Sequence, residues 1–316
     1  MMFWLENPYH DGFRTTKNSE RRRTPNDEIR TKNSTEARPI SLTKFSNGSP
    51  HFLSMSTFDE IPKTQQEALR TVVLWLADDR LIHGHRLSEW AGHGPELEED
   101  LALANMALDM IGHASSLYAY VAKLEGREEE DYHAYFRDDI DFTNCAMVEL
   151  PRGDFAFTMA RQFLFSVHAF LLYQALMDVL EDEELAGILK KHFKEIRYHL
   201  RHSGEWMRRL GDGTDDSRER VQHALDDLWM YTGELFTSNA HIEATVRFEV
   251  FTDPATLHAP WMEMVRQVLD DATLTMPDQN QYMFDGARQG RHTEHLGRLL
   301  AEMQFLRRSY PDASWT

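Results

Sequence analysis

Residues 95–118 read PELEEDLALANMALDMIGHASSLY, and the spacing of apolar side chains in this stretch decides the fold class. Leu97, Leu101, Ala104, Leu108, Ile111 and Ala114 recur at threes and fours, which predicts one continuous helix face turned towards a core. Pro95 stands where a first helical residue would. Glu96, Glu98, Glu99 and Asp100 fill the opening turns, where carboxylates complement the positive end of the helix dipole. Asn105, Asp109 and His113 are spaced four apart and stack along one line of the same helix. In a bundle interior such a line is either a row of metal ligands or a hydrogen-bonded polar ladder.

Working outward, residues 64–90 carry Leu69, Val72, Val73, Leu76, Leu81 and Leu87 at helical spacing and stop at Gly92-His93-Gly94. After Gly126 an acidic connection and a loop-rich excursion lead to Asp154, the expected N-cap of a third long helix ending near Val179. A fourth starts near Asp182 and ends at the LGDG of residues 210–213. Beyond it the pattern predicts a helix over 217–236, an irregular or extended stretch over 237–253 in which VRFEVF alternates like a short strand, a helix over 254–274 broken at Pro260, and a last helix over 291–310. The expected fold is all-α: a four-helix bundle with a long crossover and additional C-terminal helices.

The chain of 316 residues is 41% hydrophobic, enough to build a substantial core, and its formal charge of −18 excludes nucleic acid and anionic membrane as main partners. A single cysteine, Cys145, excludes an internal disulfide framework. The most apolar run, residues 155–177, contains Arg161, Gln162 and His168, so it reads as a buried helix and not a membrane span. A cytoplasmic setting is expected. Residues 1–55 hold nine Lys or Arg against six Asp or Glu with little periodicity and are expected to be disordered, with the helical domain spanning 56–316. Met55 opens an ordinary domain start, and an upstream start codon chosen in error would account for what precedes it.

Long helices with inward carboxylates and histidines raise a ferritin-like di-iron reading, which requires one Glu from each of two helices and a Glu-x-x-His pair from each of the other two. Among the 16 histidines only His133 has a Glu three residues before it, and that pair lies in the acidic connection. The third helix has no carboxylate between Phe155 and Met177. What remains is Asp109 with His113 and Glu195 with His199, each pair four apart. These four are degenerate metal-site positions in the leading reading and the ligands of an autonomous di-iron carboxylate oxidase in the alternative. In the leading reading Asp109 and Glu195 are buried and satisfied by groups such as Arg161, Arg197 and Tyr198. A helical scaffold without either role is a third reading.

The strings RLSEWAGHGPELEEDLALANMALDMIGHA, FRDDIDFTN, EIRYHLRHSGEWMRRLGDGTD, LWMYTGELF and HTEHLGRLLAEMQFLRR, in order between about residues 75 and 308, closely resemble the C subunits of the phenylacetyl-CoA epoxidases, or ring-1,2-phenylacetyl-CoA monooxygenases. The resemblance implies a ferritin-like, non-catalytic subunit with no cofactor of its own. It further implies a catalytic A subunit that carries the di-iron centre, a bridging B subunit, and an E reductase with nicotinamide, flavin and iron-sulfur groups. For contacts to phenylacetyl-CoA it implies Asp141, Phe142, Thr143 and Asn144, with a second contact at Glu243, Ala244 and Thr245, around which the sequence departs from the family pattern.

Overall fold

The computed structural model describes residues 60–313. The segment expected to be disordered, 1–55, lies outside the described residues. Four long helices form the frame: α1 (Gln65–Ser88), α2 (Leu97–Glu125), then after a short α3 (Tyr132–Tyr135), α4 (Phe155–Val179) and α5 (Glu183–Gly211). Smaller helices follow: α6 (Asp215–Trp229), α7 (Ala240–Arg247), α8 (Ala255–Asp271) and α9 (Glu294–Ser309). Among the described residues there is no strand.

The starts are fixed by side-chain caps. Thr64 and Glu67 close a capping box on α1, the Asp154 carboxylate accepts from the Phe157 N–H, and Asp182 accepts from the Leu185 N–H. Helix α2 begins two residues later than Pro95 suggests. Asp100, in its first turn, reaches back to accept the N–H groups of Gly92, His93 and Gly94, which pins the α1–α2 turn. A Cβ on Gly94 would lie 2.6 Å from Asp100 Cα, so this close approach requires glycine.

Helices α1 and α2 run antiparallel, with Gln66 bonded to the Leu124 carbonyl at one end and Gly84 against Ala107 and Met110 at the other. Helices α4 and α5 form a second antiparallel pair, joined by Phe170 stacked on Phe193 and Phe155 edge-on to Trp206. The 126–154 connection crosses between the pairs. This is the ferritin-like arrangement of two hairpins and one long crossover. Helices α6 and α8 pack on α4 and α5, α7 on α1, and α9 on α3. By length and composition α4 could cross a bilayer, yet 78% of its most apolar window is buried inside the fold.

Several expectations are corrected. On α2 the inward residues are Leu103, Met106, Ala107, Met110, His113, Ala114 and Leu117. Leu97, Leu101 and Leu108 are 71%, 55% and 68% exposed, so the leucines of the expected core stripe face outward, while Ala104 and Ile111 are half-buried and Ala114 alone is fully inward. The helix carries two apolar faces, and periodicity alone does not rank them. The VRFEVF stretch is not a strand: Asn239 caps His241 and Ile242, and α7 runs through Arg247. Pro260 does not break α8, which continues from Ala255 to Asp271. The α-helix expected to reach Phe236 stops at Trp229, and a 3-10 turn covers Gly233–Leu235.

Candidate functional site: the bundle core and the crossover loop

The four degenerate positions are brought together between α2 and α5, but not as two metal clamps. Asp109 bonds across the helices to His199 Nε2 at 3.1 Å, while Glu195 bonds along α5 to His192 Nδ1 at 2.6 Å. His113 meets the Tyr173 hydroxyl at 3.2 Å and stacks on His192 with ring centroids 4.0 Å apart. The expected partners Arg161, Arg197 and Tyr198 are therefore replaced by histidines. Nor are the carboxylates fully buried, since the Asp109 and Glu195 side chains keep 34% and 32% exposure.

Two buried cations occupy this interior. Arg80 of α1 lies over the rings of Phe165 and Tyr173, 5.1 and 5.2 Å from their centroids. Arg161 of α4 donates to the Leu150 and Pro151 carbonyls. Burial pushes the His83, His113 and His199 imidazoles below the usual range, and the charge of Arg80 acts in the same direction, so these rings are neutral. A di-iron carboxylate centre needs bridging carboxylates between two cations. Here α4 buries Arg161 and Gln162 but no carboxylate, the two remaining carboxylates are each bonded to a histidine, and the Arg80 guanidinium lies over the Phe165 and Tyr173 rings. These residues do not fit such a centre.

The second site is the crossover loop, held on α1 by a buried charge network. Asp78 accepts from Tyr118 at 2.5 Å, from the Thr143 N–H at 2.8 Å and hydroxyl at 2.7 Å, and from Arg137 Nη1 at 3.1 Å. Burial alone would raise the Asp78 carboxyl, but the Arg137 charge and these donors together hold it below the ordinary value. Asp79 accepts from the Cys145 N–H at 2.8 Å and Arg288 at 2.7 Å, and Arg288 also donates to the Thr143 carbonyl. Glu149, fully buried, accepts from Asn144, the Thr293 N–H and hydroxyl, and His292 Nδ1. His292 Nε2 faces the Phe142 carbonyl at 2.9 Å, so both of its ring nitrogens lie against oxygen atoms of the loop and of Glu149. Glu234 accepts from the Ala146 N–H at 2.6 Å with its other oxygen buried and unpartnered.

Phe142, Thr143 and Asn144 are accordingly interior anchors, at most 1% exposed, with Asn144 Oδ1 buried and unpartnered, while Asp141 is half-buried. Glu243 is exposed on α7, and Ala244 and Thr245 are buried, the Thr245 hydroxyl donating to the Ile242 carbonyl. Both segments lie against α1, the first through the Asp78 and Asp79 carboxylates and the second through the packing of α7. Cys145 is buried beside Asp79 and Glu234, and burial pushes its thiol well up. Sequence reasoning missed Asp78, Asp79, Arg137, Glu149, Arg288 and His292. The readable signal was the Asp-Asp pair inside TVVLWLADDRLI, where apolar residues surround the helix on every side.

The fold and the buried network define a ferritin-like helical protein with a strapped crossover loop. The chain belongs to the phenylacetic acid catabolic protein family, whose model matches residues 51–315. It is 44% identical over 247 residues to the C subunit of the 1,2-phenylacetyl-CoA epoxidase of Escherichia coli strain K12, covering 78% of this chain and 99% of that relative.

Proposed function

We propose that this chain is a non-catalytic structural subunit of a multicomponent phenylacetyl-CoA epoxidase, docked on a di-iron A subunit and helping to hold the acyl-CoA. The observation that carries the reading is the donor set of the core, in which Asp109 and Glu195 are each bonded to an α5 histidine and the one carboxylate of α4, Asp178, is exposed near its C-terminal end. Identity to a named C subunit over 99% of that relative's length supports the same assignment. Docking is supported by the exposed stripe of Leu97, Leu101 and Leu108, an apolar face of the kind that stable hetero-complexes cover. For the acyl-CoA the segment Asp141 to Asn144 is held too firmly to reshape. Asp141 is the member of the segment that reaches the surface, and the buried Phe142, Thr143 and Asn144 behind it fix its position through Asp78, Glu149 and His292, at low ordering cost on binding.

The oxygen chemistry in this reading belongs to the partner. A bridging B subunit and an E reductase complete the assembly, and the chain works in the cytoplasm. Co-expression tests this: the chain should co-elute with the A subunit as a heteromer of even stoichiometry, and A, B and E should turn over phenylacetyl-CoA only when it is added. Full turnover by A, B and E alone would end the proposal.

A further inference from the structure

The chain holds 52 Asp and Glu against 34 Lys and Arg, and over much of the surface its cations find carboxylates: Lys123 pairs with Glu184, Arg208 with Asp271, Arg220 with Asp216 and Arg307 with Glu129. Helix α5 departs from this pattern. Lys190, Lys191, Lys194, Arg197 and Arg201 are all exposed on it, and none forms an ion pair among the described residues. The single carboxylate between residues 190 and 204 is Glu195, which is bonded to His192. Lys190, Lys194, Arg197 and Arg201 follow one another at steps of four, three and four, so they form one row on the side of α5 away from the buried Leu189, Ile196 and His199, about 16 Å long at 1.5 Å per residue. Like charges at these steps weaken a helix, so the row is a cost to the isolated chain. Lys194, Arg197, Tyr198 and Arg201 line an open hollow of about 350 Å³, and the Arg201 guanidinium lies 5.7 Å from the centre of the half-exposed Tyr198 ring.

We propose that this row is a docking surface for an acidic helix of a partner protein, one whose carboxylates recur at steps of three and four. The inference goes beyond the subunit role and needs only such a partner. Three observations select this occupant. The row is straight and has helical pitch, so a second helix laid along it can bring a carboxylate to each cation in turn. The hollow is open and its Lys194, Arg197 and Arg201 are exposed, whereas a site for a small phosphate compound encloses most of its ligand. The formal charge of −18 repels nucleic acid and anionic bilayers, whose charge extends over a broad area, while a narrow acidic helix senses the charges within the Debye length of about 8 Å at physiological salt. A contact made of exposed ion pairs is weak, quick to form and sensitive to salt.

The test is fluorescence anisotropy of the full-length chain with a labelled, alanine-rich helical peptide carrying Glu at steps of four, three and four. Wild type should bind it at micromolar concentrations, with affinity falling about tenfold as salt rises from about 50 to about 300 mM. Lys194→Glu, Arg197→Glu and Arg201→Glu together should weaken binding by at least about tenfold, and the three Gln replacements serve if the charge-reversed chain does not fold. Lys63→Glu, Arg220→Glu and Arg266→Glu together shift the net charge equally, away from the row, and should change affinity by less than about threefold. No binding by wild type, a folded row variant that retains its affinity, or an equal loss in the charge control would overturn the inference. So would binding of a heparin fragment, tripolyphosphate or phosphatidylserine vesicles at least as tightly as the peptide.

Discussion

A carboxylate inside a protein is tolerated in proportion to the donors that reach it, and Asp78 and Asp109 stand at opposite ends of that scale. Asp78 is fully buried and receives bonds from Arg137, Tyr118 and both donors of Thr143, so Asp78→Ala strands a buried guanidinium and should cost about 3 to 5 kcal/mol in urea unfolding. Asp109 has one histidine partner and a third of its surface in water, so Asp109→Asn should cost less than about 1 kcal/mol. Equal losses in the two variants would mean that the charge network does not anchor the loop. Nothing in the sequence distinguishes these two aspartates by type. Their difference lies in the crossover loop and the 288–293 segment, which return to α1 from far along the chain.

Glu234 gives the residue scale a pH signature. Burial, only partly opposed by Arg288 and the Ala146 N–H, pushes its carboxyl from 4.5 up to about 8. The folded protein therefore keeps a proton that the unfolded chain has already lost across that window. Its stabilising contribution is complete below pH 4.5 and falls by about 1.4 kcal/mol per unit as pH rises to 8. His168, which burial pushes down to about 3, acts with the opposite sign: stability is lost as pH falls from 6.5 towards that value. Glu234→Gln, which keeps the shape and removes the titration, should match wild type near pH 5 and be more stable at pH 8. Unfolding curves for the two proteins that stay parallel across this range would refute the assignment.

At the scale of elements, helices α1, α2, α4 and α5 were legible because caps and long apolar periods mark them, and the smaller elements were not. Residues 246–251 alternate as a strand would, but with no neighbouring edge to pair with among the described residues, the local cap at Asn239 starts helix α7, which takes up Val246 and Arg247 and leaves 248–251 as a turn. The inverted reading of α2 has another cause. Its core face mixes Leu103, Met106, Met110 and Leu117 with the small Ala107 and Ala114 and the polar His113, so hydrophobicity alone does not rank it above the exposed Leu97, Leu101 and Leu108, which together form the kind of apolar surface a partner would cover. Replacing Leu97, Leu101 and Leu108 together by serine should leave the stability of the isolated chain within about 0.5 kcal/mol of wild type and abolish co-elution with the A subunit. Retained co-elution would move the docking face elsewhere.

At the scale of the whole molecule, five strings spread over the domain carried the family relation more firmly than any single pattern, and the matched span of residues 51–315 agrees with it. The same strings carry the loop and its clamp, FRDDIDFTN supplying Arg137 and Thr143 and HTEHLG supplying His292 and Thr293. What they could not reveal was that these residues bond to one another, because the contacts bridge about half the chain. In the proposed function the core between α2 and α5 supports an assembly and performs no chemistry. The most direct test is phenylacetyl-CoA turnover by the reconstituted complex in which this chain carries Asp109→Asn, His113→Gln, Glu195→Gln and His199→Gln together. Turnover within about twofold of the unmodified complex, with assembly intact, is expected, since no transition-state interaction is removed. A loss of a hundredfold or more in an intact complex would place catalysis in this chain and contradict the account.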